Sequence, residues 1–179
     1  MQKKLIKFVS SSVLLSFLCI STNISAATYY KCTPDDEEWK SMTLDEKKKN
    51  TEIRDEKLAK LTDKELIDAI KEYPFLIDLY AFDSITDGIR HVTEECDAYK
   101  ELLHRKNGAH ILSQYIKKSA NDPDKVSANR QIEIESLSAL LLYQPKFVDQ
   151  ASILDFKGIE KLTNVSEVFG TPTYRVKTP

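Results

Sequence analysis

Apolar residues recur at helical spacing along most of the chain, and the longest stripe runs through its middle. Ile85, Ile89, Val92, Cys96, Tyr99 and Leu103 follow intervals of 4, 3, 4, 3 and 4, which is one face of a helix that Ser84 can cap. A shorter stripe precedes it, Leu66, Ile70, Tyr73, Ile77 and Tyr80, behind a Thr62/Glu65 capping box. Pro74 lies inside that stripe and predicts a kink, or a split after Glu72. Asn107 and Gly108 mark a boundary, and Ile111, Leu112, Tyr115 and Ile116 form a further short stripe. SANDPDK reads as a loop. A helix follows from about Asp124 to Tyr143, with Ile134, Leu137 and Leu141 inward, and Pro145 bends or ends it. The pattern predicts an all-α fold, a single bundle or short helical array of about six to eight helices, Pro-kinked near Pro74 and Pro145.

The flanking regions are weaker in pattern. Residues 28–60 are polar, with one helix start at Thr33 and Pro34 and a second capping box at Thr43 and Glu46. Trp39 is the only tryptophan and is expected to anchor these short helices to the core. From Gly158, EKLTNVSEVFG reads as a short helix and TPTYRVKTP as extended or disordered chain. ELIDAIKEYPFLID and SLSALLLYQPKFVD share a helix, a tyrosine and a proline, but two copies offset by one residue read as coincidence.

The start of the chain changes the picture most. Residues 1–27 carry Lys3, Lys4 and Lys7, an apolar centre from Val13 to Ile20, and small residues at Ala26 and Ala27. That is the layout of a secretory signal peptide, predicting a secreted or periplasmic protein. The expected domains are the signal at 1–27, a helical domain at 28–157 and a partly ordered tail at 158–179. Of 26 Lys+Arg, removing the three leader lysines leaves 23 against 28 Asp+Glu, a net −5. So acidic a chain excludes a strongly basic nucleic-acid binder, and four glycines in 179 residues exclude Gly-rich phosphate loops. Nothing after the leader is apolar for the roughly 20 residues that a membrane span needs, so no membrane insertion is expected after cleavage.

Two cysteines survive cleavage, Cys32 and Cys96, and an oxidising compartment permits a disulfide between them, while Cys96 also reads as a small core residue. Catalytic motifs are missing. There is no G-x-S-x-G elbow, no CxxC, and no EF-hand spacing in the DPD or DSITDG segments. The best metal candidate is His91 with Glu95, four residues apart on one helix face, which needs a further ligand such as His104 or His110. The plain alternative is a helical His–Glu surface contact. No catalytic residue and no cofactor site is assigned. The tyrosines used freely along the chain either pack at the core's rim or line a groove for a protein or glycan.

Thr62, Glu65, Leu66, Tyr73, Pro74, Asp78 and Gly88, then Glu101, Leu102, Leu103, Arg105 and Tyr115, resemble a recurrent helical domain of uncharacterised secreted bacterial proteins. The resemblance covers roughly residues 40–118. It implies export, a helical fold and a bacterial source, and carries no activity, cofactor or catalytic residue. The leading expectation for function is an exported non-catalytic domain that binds another protein at the cell envelope or outside the cell. The alternatives are a metal-dependent enzyme using His91 and Glu95, and an inhibitor or immunity-type protein.

Overall fold

Side-chain caps start the early helices where the sequence places them. Thr43 and Thr62 each accept a hydrogen bond from the backbone N–H of Glu46 and Glu65, and each glutamate carboxylate returns to the cap's N–H and hydroxyl. The Thr62 hydroxyl and N–H thereby hold the Glu65 carboxyl below its ordinary pKa. In the computed structural model, which describes residues 29–122, 127–150, 153–163 and 165–170, every regular element is helical, so the fold is all-α. Three short helices come first, α1 (Glu37–Ser41), α2 (Leu44–Asn50) and α3 (Asp55–Leu58). Then follow α4 (Asp63–Lys71), a 3-10 helix η1 (Leu76–Tyr80), α5 (Ile85–Glu95), α6 (Asp97–His104) and α7 (Gly108–Ala120). The remainder is α8 (Ala128–Leu142), α9 (Pro145–Gln150), α10 (Ile153–Leu162) and α11 (Val165–Phe169).

The expected six to eight helices is roughly compatible with this architecture, and two of the additional boundaries fall where long stripes are broken. Pro74 ends α4 at Glu72, as its sequence position demands, and the chain resumes as the 3-10 helix η1. Cys96 divides the central stripe. Its backbone is extended (φ −93°, ψ 103°), closing α5 and opening α6, while its side chain stays fully buried. Pro145 opens α9 rather than bending α8, a position where its missing N–H costs nothing. At the N-terminus α1 begins at Glu37, later than Pro34, because Asp36 folds back to accept the N–H and hydroxyl of Thr33. Trp39 is buried against Phe75, ring centroids 5.5 Å apart, with the Lys47 ammonium over its indole.

Helices α4, α6, α7 and α8 enclose the core. Helix α8 is buried on all sides from Ile134 to Leu142, not only at Ile134, Leu137 and Leu141. Phe147 of α9 closes one end, and α10 packs on α7 through Phe156 and Ile159. Gly88 lets η1 lie against α5, since a Cβ there would meet the Leu79 carbonyl oxygen at 2.6 Å. Helix α10 runs through Gly158, and Ile159 and Val165 are buried, so packing against the core extends into the expected tail. The expected signal peptide, the helix start near Asp124 and the TPTYRVKTP segment lie outside the described residues. No described helix is long and apolar enough to cross a membrane.

The expected disulfide is corrected: Cys32 and Cys96 are both buried, both free and not within bonding distance. Tyr30 takes the place beside Cys96. Its ring enters the core, its hydroxyl donates to the Ala69 carbonyl at 2.7 Å, and it lies against the Cys96 thiol. The clasp at the N-terminus is thus an aromatic plug, and Cys32, two residues on, faces the Thr33–Asp36 turn instead. Burial pushes the Cys96 thiol up to about 12, so hardly any thiolate exists near neutral pH. The native chain is therefore expected to leave Cys96 unalkylated by iodoacetamide at pH 8. In the chain freed of its first 27 residues, which carry Cys19, both Cys32 and Cys96 should titrate once it is denatured without reductant. No titratable thiol in denaturant, together with a mobility shift on a non-reducing gel, would restore the bridge.

Candidate functional site

The two residues of the metal candidate share a helix but not a site. His91 leans toward η1, with Nε2 3.6 Å from the Asp78 carboxylate and its ring 5.2 Å from Phe82. Glu95, one turn on, turns to α2 and pairs with Lys48 at 3.0 Å. His104 and His110 are exposed on α6 and α7. Among the described residues no three His, Cys, Asp or Glu side chains come together as a metal would require. Helical spacing put His91 and Glu95 on one face, and a nearer partner claims each of them.

A cleft of about 740 Å³ opens where the chain between α2 and α3 meets the α5–α6 corner. Its charged lining includes Glu52, Arg54, Asp55, Glu94, Glu95 and Asp97. Two of these carboxylates hold the fold. Asp97 accepts the Ile53 N–H at 3.0 Å and pairs with Lys100 at 2.7 Å, and Glu95 holds Lys48. They staple the N-terminal helices to α5 and α6.

A second charged group surrounds Tyr115. Lys71 and Arg130 both lie over its ring at 5.3 and 5.8 Å, and its hydroxyl donates to Glu133 at 3.1 Å. Glu133 also takes Arg130 at 2.5 Å and Lys71 at 3.8 Å, so the cations are neutralised where they stand. This network ties α4 to α7 and α8. Arg105 does similar work at α4's start, donating to the Leu61 carbonyl at 2.7 Å and pairing with Asp63. Of the residues that carry the resemblance, Thr62, Glu65, Arg105, Gly88 and Tyr115 thus all have a structural task.

The surface departs from the ordinary along η1. Pro74 resets the helical register, and the tighter turn brings Leu76 and Leu79 inward in place of Ile77 and Tyr80. Ile77 is left 58% exposed, Tyr80 37% and Phe82 40%. Ile132 on α8 and Val168 on α11 add 43% and 47% exposure beside them. These five are among the seven large hydrophobic side chains that stand exposed in the described residues, Leu44 and Leu162 lying elsewhere. They are joined into one surface. Ile77 and Ile132 border a hollow of about 280 Å³ with Pro74 and Leu76. The Tyr80 hydroxyl meets the Ser136 hydroxyl at 3.2 Å, and its ring packs tilted against Phe169 with centroids 5.1 Å apart. Beyond that ridge Phe82, Ile85 and Val168 border a second hollow of about 230 Å³.

The sequence assigned Ile77 and Tyr80 to the core. The missed signal was Pro74 itself, since a break in a helix also ends the phase of its stripe. No family model, curated protein or solved structure matches the chain.

Proposed function

We propose that this chain is an exported, non-catalytic helical module that binds another protein through the apolar face on η1, α8 and α11. The observation that carries the reading is the clustering of Ile77, Tyr80, Phe82, Ile132 and Val168 on one side of the molecule. Monomeric proteins seldom leave contiguous apolar surface exposed without a partner, because water opposes it. Aromatic side chains around shallow hollows are also the usual anchors of protein interfaces. The leader-like first 27 residues support export, and the partner is accordingly sought at the cell envelope or outside the cell. An enzyme built on His91 and Glu95 receives no support, as those side chains hold Asp78 and Lys48.

Ile77→Asp tests the face directly. Its side chain is more than half exposed, so the change should alter stability by no more than about 0.5 kcal/mol. Loss of an interface anchor costs about 2 kcal/mol or more, roughly a thirtyfold loss of partner affinity. The measurement is quantitative pull-down from envelope and secreted fractions with both proteins, alongside their thermal melts. Equal recovery of every partner by the variant would sink this reading.

A further inference from the structure

We propose that the occupant of this face is an amphipathic α-helix of the partner protein, with apolar side chains two turns apart and lysine or arginine flanking them. The inference rests on the reading of the η1, α8 and α11 surface as the docking site, and adds what docks there. Three observations carry it.

The first is the pair of hollows. They open near the two ends of η1, with Ile77 bordering one, Phe82 the other, and the Tyr80–Ser136 contact between them. A five-residue 3-10 helix is about 10 Å long at a rise of about 2 Å per residue. Residues i and i+7 of an α-helix stand about 10.5 Å apart on the same side. One helix can therefore seat an apolar side chain in each hollow while crossing Tyr80.

The second is the backbone. Among the described residues there is no strand, so no sheet edge is offered to an extended peptide. The surface is made by side chains. An occupant there must satisfy its own N–H and C=O groups, which a helix does internally.

The third is charge. Asp83 lines the second hollow and Glu167 is exposed next to Val168; among the described residues neither has an ion-pair or hydrogen-bond partner. The nearby cations are already taken, Lys71 by Asp68 at 3.3 Å and Glu133, and Arg130 by Glu133. Among the described residues the unpaired charge bordering the face, on Asp83 and Glu167, is negative. Two copies of this chain meeting face to face would bring those carboxylates together, which disfavours a homodimer and favours a basic partner.

The test places a photo-reactive benzoylphenylalanine at position 77 of the full chain in its secreting host, with position 44 as the control. Leu44 is equally exposed but lies on α2. The expected result is one protein cross-linked from position 77 and not from 44. The mapped segment should have apolar residues at helical spacing and flanking Lys or Arg. The double variant Asp83→Lys/Glu167→Lys, both at exposed sites, should lower that cross-link about tenfold, since reversing rim charges turns attraction into repulsion. Three other outcomes overturn the proposal. A segment of another protein that is acidic or non-helical, or a yield untouched by charge reversal, refutes the partner's chemistry but leaves the docking face standing. A cross-link to a second copy of this chain makes the face a self-association surface and does the same. No cross-link specific to position 77 removes the docking face itself.

Discussion

Tyr99→Ala is expected to lower the unfolding free energy by about 4 kcal/mol, in the range for emptying a buried aromatic site. Tyr99 on α6 is fully buried, and its ring stands edge-on to Phe147 of α9 with centroids 5.9 Å apart. Its hydroxyl donates to the Leu140 carbonyl at 2.7 Å. That carbonyl lies in the last turn of α8, where helix carbonyls run out of backbone partners. The substitution therefore empties a cavity at the meeting of three helices and strands a buried acceptor. Tyr99→Phe separates the two effects, keeping the ring and losing about 1–2 kcal/mol for the hydrogen bond. For a domain of this length 4 kcal/mol corresponds to a fall of roughly 8–16 °C in Tm. Denaturant and thermal unfolding followed by helical circular dichroism measure both. A loss below about 1 kcal/mol for Tyr99→Ala would mean that α6, α8 and α9 do not meet around this ring.

Gly108→Ala is expected to cost about 3 kcal/mol although it adds a single methyl group. Gly108 opens α7 directly after the turn from α6. A Cβ there would stand 2.1 Å from the Leu102 carbonyl oxygen and 3.1 Å from both the Leu102 carbonyl carbon and Phe147. Backbone of a neighbouring helix cannot swing aside as a side chain can, so the α6–α7 corner has to open, with Phe147 displaced. Gly158→Ala on α10 is the matched control. There a Cβ would meet only the end of the Lys117 side chain, at 3.3 Å. Within a helix that change should be neutral or stabilise by up to about 1 kcal/mol, because alanine loses less backbone entropy than glycine. Parallel melts of the two variants decide it. Equal stability would show that α7 does not approach α6 this closely.

The residues behind these two predictions were visible in the sequence to different degrees. Tyr99 stood in a regular stripe, so its burial was legible, but its acceptor lies 41 positions away and no local pattern points to it. Gly108 read as a helix boundary, and that is where α7 begins. Its close approach to Leu102 follows from the angle between two helices, which spacing does not encode. The Cys96 stripe shows the same division. All its residues but the half-buried Ile85 are buried as the spacing requires, yet the chain there is two helices, since two helices packed on one core preserve a stripe as well as one does.

The exposed apolar face on η1, α8 and α11 lies on the other side of that division. Capping boxes, proline breaks and the inward faces of α4 and α7 act within about four residues of chain, so the sequence alone determined them and the all-α class. Tertiary structure decided which apolar residues stayed in water. Ile77 and Tyr80 kept the spacing of a buried stripe, but after Pro74 the 3-10 turn offered Leu76 and Leu79 to α5 first. Tertiary structure likewise left Cys32 and Cys96 apart, with Tyr30 beside the Cys96 thiol, and gave His91 and Glu95 the separate partners Asp78 and Lys48. Burial and pairing are contests between distant segments for the same space, and only the assembled fold records which segment won.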